Sequence, residues 1–181
     1  TRQATLFPYT TLFRSENGNL SPHEKALLLK EAIRIADEND DPQWAVEMRL
    51  DLIYELNLLS QAEEEIAVFS RILDDYENNK DLISENDILW KYKWICGAAF
   101  DVPEVSQSQI DAILEDFKIR TLRNGYSARA YYHLLFLHYN RMRQYDLAKE
   151  YADKMLSEKL DDMMCEACEL NLLLDYYLET G

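Results

Sequence analysis

Apolar residues recur along the chain at three- and four-residue spacing, in stretches of roughly fourteen to eighteen residues broken by short polar segments. This is the period of an amphipathic helix, not of a strand. The first stretch opens at Ser21-Pro22-His23-Glu24, where Ser21 caps, Pro22 suits the first helical position and Glu24 completes a capping box. Ala26, Leu29, Ala32, Ile33 and Ala36 mark its face, which runs to about Glu38. Asn39 to Pro42 breaks and restarts the chain. A second helix is predicted from about Pro42 to Leu58, with Ala45, Met48, Leu52, Ile53 and Leu56 on its face. Ser60 offers a cap for a third, from about Gln61 to Tyr76, carried by Ile66, Phe69, Ile72 and Leu73. Glu63, Glu64 and Glu65 fall in its first turn, where the helix dipole favours acid.

The same reading continues through the second half. A helix from Glu85 to about Ala98 contains ILWKYKWI, which puts Trp90 and Trp94 one helical turn apart on a face expected to be buried. Ser106 and Gln109 form the next capping box, and Ile110, Ile113, Leu114, Phe117 and Leu122 mark the helix that ends at Asn124-Gly125. Ser127 to Leu156 reads as one helical hairpin. Tyr132, Leu135, Phe136 and Tyr139 line its first helix, and Leu147, Ala148, Tyr151, Met155 and Leu156 its second. A last helix is predicted from about Asp162 to Glu179, with its main stripe on Met163, Ala167, Leu170, Leu174 and Tyr177. No such helix buries its stripe alone, so each needs similar neighbours. The fold class that follows is all-α, a solenoid of antiparallel helix hairpins with about eight helices.

Tyr132, Leu135, Tyr139 and Ala148 also occupy the places of the large residue, Leu, Tyr and crossing Ala of a tetratricopeptide repeat, a unit of about 34 residues. The hairpin therefore resembles that family. It departs at Arg143, where Gly is usual, and at Ala152, where an aromatic is usual and Tyr151 stands one residue earlier. Ala167, Leu170, Leu173, Tyr177 and Gly181 repeat the spacing of a first helix and its turn Gly. Val46 to Leu73 fits through Leu52, Leu56, Phe69 and Leu73 and departs at Arg49 and Glu65. The resemblance implies a right-handed solenoid over residues 21–181, truncated at its C-terminal end, because the chain stops where the paired helix would begin. It implies a concave groove for a protein or peptide, lined here by Ala130, His133, Leu134, Leu137, Cys168, Leu172 and Asp175. The basic and amide side chains of a carboxylate-binding groove are missing from Ala130, His133, Leu134 and Leu137, so an apolar or basic peptide is the expected occupant. Self-association through an exposed last helix is a further expectation.

Thr5 to Ser15, TLFPYTTLFRS, resembles the frame translation of a short-read sequencing adapter, codon for codon. Residues 1–15 are accordingly read as a non-native, adapter-derived segment, and residues 16–20 as a linker to the helical domain.

Composition narrows the function classes. With 48% hydrophobic residues and only 4 Gly and 4 Pro, the chain has ample core and few turns. Its net charge of -15 argues against nucleic acid and anionic membrane surfaces, which need basic patches. No apolar run reaches the ~18 residues of a membrane span, and no signal peptide is evident. The 3 cysteines, an odd and small number, fit a reducing cytoplasmic compartment. Cys96, in the Trp-rich helix, reads as a small core residue. Cys165-Glu166-Ala167-Cys168 is the one local motif with chemical content. Its alternative to packing is a redox pair, or a metal-responsive module, which a tetrahedral site of four ligands would need to complete. No nucleophile elbow, Walker loop, dinucleotide-binding glycine pattern or HExxH is present, so no enzymatic reading and no cofactor follow.

Overall fold

The computed structural model describes residues 20–181, and the adapter-like segment lies outside them. Eight helices form among the described residues, with no strand. They are α1 (Pro22–Glu38), α2 (Pro42–Leu58), α3 (Ala62–Asn78), α4 (Glu85–Ala99), α5 (Gln107–Arg123), α6 (Arg129–Arg141), α7 (Tyr145–Ser157) and α8 (Glu166–Thr180). The chain divides after Ser84 into two compact units. Within each, neighbouring helices pack in sequence order, as a helical repeat requires.

In the first unit α1 packs on α2 and α2 on α3. The capping box at Ser21 and Glu24 is formed, and Asp41 accepts from the Trp44 amide at 3.1 Å. Alanines set the α1–α2 contact: Ala32, Ala36 and Ala45 pack with Trp44, while Ala26, Leu29, Leu52 and Leu56 form a second cluster. The turns before α2 and α3 close through Asp40 (φ 52°) and Ser60 (φ 55°) in the left-handed region. Ser60 is therefore a turn residue and not the expected cap; Gln61 holds that place without a side-chain bond. Arg49, which departs from the repeat pattern, is buried and ties three helices together. It donates to Asp37 of α1 at 2.7 and 2.8 Å and to Asp75 of α3 at 3.1 Å.

The second unit contains α4 to α8. The capping box at Ser106 and Gln109 is formed, and Gly125 ends the turn after α5 at φ 81°, where a side chain would be strained. Phe136, Ala148, Ala152, Met155, Leu172 and Tyr176 make the core of the hairpin and α8. Tyr151 stacks on Tyr139 with ring centroids 5.3 Å apart, and small Ala152 is buried. Arg143, in the turn between α6 and α7, adopts φ 57° in the left-handed region.

Two expectations are corrected. Trp90 and Trp94 are half-buried, with Lys93 and Lys91 over their rings at 4.0 and 4.4 Å. The buried face of α4 is instead Ile88, Leu89, Tyr92, Ile95, Cys96 and Ala99. On α8 the inward stripe is Glu169, Leu172 and Tyr176, with Leu173 packed against the core. Ala167, Leu170, Leu174 and Tyr177 face out, because Glu169 turns inward to meet Arg129; the helix itself begins at Glu166, after the turn that Asp161 organises.

Candidate functional site

The junction of α4, α6 and α8 is held by buried and half-buried polar groups. The Asp161 carboxylate accepts from the Ser127 amide at 2.6 Å and from the Met163 amide at 3.0 Å, which folds the segment ahead of α8. Met163 is fully buried there, and its carbonyl accepts from Lys93 Nζ at 2.8 Å. From the first turn of α6, Arg129 grips Glu169 with two bonds of 2.7 Å and the Glu158 carbonyl with a third of 2.6 Å. The Glu169 side chain is only 4% exposed, so this fork is a desolvated pair whose charges require each other.

Burial also sets two protonation states. It pulls the Lys93 ammonium down to about 8, with Glu169 and Asp161 opposing the shift. It pulls the His133 imidazole down to about 4, and the nearby charge of Lys93 adds to that. His133 is thus neutral near pH 7, and its Nδ1 is buried without a hydrogen-bond partner.

Cys165 and Cys168 stand at the head of α8. Cys165 is the N-cap, and its sulfur accepts from the Cys168 amide at 3.3 Å. The two sulfurs are joined as a disulfide across a Cα–Cα distance of 5.2 Å. Cys96 is free and buried. Among the described residues, no three His, Cys, Asp or Glu side chains converge on a metal-binding arrangement.

Between α6 and α8 lies an open cleft of about 490 Å³, lined by Leu137, Asn140, Arg141, Arg143, Leu172, Asp175, Leu178 and Glu179. It unites three residues expected in a groove: Leu137, Leu172 and Asp175. The other expected lining residues stand elsewhere. Ala130 (0% exposed) and Leu134 (2%) are core and offer no surface to a partner. His133 belongs to the polar junction, and Cys168 is exposed at the opposite end of α8. Beside the cleft, α8 presents an apolar row of Leu170, Leu174, Tyr177 and Leu178, exposed by 60%, 56%, 62% and 74%. These positions share one helical face. Asp175 and Glu179 flank the row, and α8 carries no Lys or Arg.

Lys93, Arg129, Asp161 and Glu169 were not legible as a set in the sequence. Their one signal is a charged residue at a position where a helix should be apolar: Lys93 between Tyr92 and Trp94, and Glu169 on the inward face of α8. Comparison with protein-family models, with curated proteins and with solved structures finds no match. Among the described residues, no helix is long and apolar enough to cross a membrane.

Proposed function

We propose that the protein is a non-catalytic, tetratricopeptide-like scaffold that binds a protein or peptide along the cleft between α6 and α8. The observation that carries this reading is the exposed apolar row of α8 beside that cleft. Four large side chains left in water forgo roughly 1.5–3 kcal/mol each of burial, which a partner recovers. The α8 side is bordered by Asp175 and Glu179 on a chain of net charge -15, while Arg141, paired with Asp101, and Arg143 stand on the far side of the cleft, so the partner that fits is an amphipathic helix whose Lys or Arg lie on the side of its apolar stripe toward α8. Charge repulsion disfavours a second copy of the chain in that place. A cytoplasmic setting belongs to the same reading.

Selection from a displayed library of random peptides tests it. Basic, amphipathic sequences are expected to be enriched, and Leu174→Asp and Leu178→Asp are expected to weaken their binding at least about tenfold. Enriched peptides that bind these variants as well as the wild type would place the site elsewhere. A library that yields no binder would overturn the proposal.

A further inference from the structure

The cysteine pair at the head of α8 has no part in that docking surface, and its geometry carries chemistry of its own. The Cα–Cα distance of 5.2 Å suits a disulfide, and the two sulfurs are joined. Cys165 is half-buried and Cys168 exposed, so a small reactant reaches the pair. The Cys165 sulfur receives the Cys168 N–H at the head of a helix of 15 residues, which holds the two cysteines one turn apart on a fixed element. Cys96, fully buried, does not compete.

We propose that Cys165 and Cys168 form a reversible thiol–disulfide exchange site for a small, neutral or cationic disulfide. In the first step the Cys165 thiolate attacks one sulfur of the reactant. The reactant's S–S bond breaks, and one thiolate leaves and takes up a proton. The Cys168 thiolate then attacks the Cys165 sulfur, the mixed disulfide breaks, and the second thiol departs. The protein loses two electrons and two protons, and the disulfide becomes two thiols. The charge preference follows from the neighbours: Asp161, Asp162 and Glu166 precede or separate the cysteines and repel an anionic reactant.

The test uses the full chain, reduced, with cystamine as the cationic probe and oxidised glutathione as the anionic one. Intact mass is expected to fall by two hydrogens with no adduct, and Cys96 is expected to remain unmodified in the folded protein. In Cys168→Ser the cystamine half is expected to stay attached to Cys165. Cys165→Ser, which keeps a good helix cap, is expected to abolish closure while the helical circular dichroism is unchanged. Cystamine should react about tenfold faster than oxidised glutathione at low salt, with the ratio shrinking as salt rises. Separate adducts on both cysteines without ring closure, or no reaction with either probe, would overturn the exchange site. Equal rates for the two probes at low salt would overturn its charge selectivity.

Discussion

Arg143 holds the turn between α6 and α7 in a backbone conformation that favours glycine. At φ 57° it takes a conformation that costs a side-chain-bearing residue roughly 1–2 kcal/mol relative to Gly. Arg143→Gly is therefore expected to raise stability by about 1 kcal/mol, read as a higher urea midpoint. An unchanged or lower midpoint would mean that the unfolded chain's added freedom outweighs the relief. The Arg129–Glu169 fork behaves differently, since its energy resides in pairing. Arg129→Met strands a buried carboxylate and is expected to cost about 3–5 kcal/mol, while Arg129→Met with Glu169→Leu should recover most of the loss. Equal losses in the single and double variants would show that the fork contributes packing only. His133 supplies a pH signature. Its folded pKa of about 4 lies below the ordinary imidazole value of 6.5, so the unfolded chain binds a proton that the folded chain refuses between these values. Its contribution is complete above about 6.5 and is lost as pH falls toward 4. His133→Leu is expected to flatten the acid-side stability profile by about 2–3 kcal/mol against wild type, and parallel profiles would refute the assignment.

At the scale of the element, α8 holds both a structural face and an unused one. Leu172, packed with Phe136 and Tyr176, is expected to cost about 2–4 kcal/mol as Leu172→Ala. Leu174→Ala, on the exposed row, should stay within about 0.5 kcal/mol of wild type. Thermal melts of the two variants decide this, and equal losses would mean that Leu174 is buried in solution. Periodicity alone could not make this distinction. The stretch from Ala167 to Tyr177 contains Leu170, Leu172, Leu173, Leu174, Tyr176 and Tyr177, so almost any rotation of the helix finds apolar residues to face inward. Glu169 decided the rotation, because Arg129 waits for it across forty residues of sequence. No local pattern contains that partner. The same holds for Lys93, whose acceptor is the Met163 carbonyl. By contrast the caps at Ser21, Ser106 and Gly125 were legible, because their partners lie within a few residues, whereas the Asp41 cap of α2 was read only as a break.

For the whole molecule, the helical succession was readable because short turns between amphipathic helices leave little choice of neighbour. Its grouping into two units was not, since it depends on packing across longer separations. Each unit has its own buried clusters and its own arginine bridging helices, the buried Arg49 in one and the half-buried Arg129 in the other. The fragment Glu85–Gly181 is therefore expected to fold alone, with a helical spectrum and a cooperative melt. A fragment that is unfolded or melts without cooperativity would show that its core is incomplete.

The Arg129 fork has a mechanical meaning as well. Load applied at Gly181 meets Tyr176 and the Tyr145–Glu179 contact first, and these sit in the outer turns of α8. Beyond Leu172 it reaches a guanidinium moored at Glu169 and at the Glu158 carbonyl, on both sides of the segment that leads into the helix. Under tension α8 is expected to peel inward from its far end and stop at that mooring, with its first turn still held.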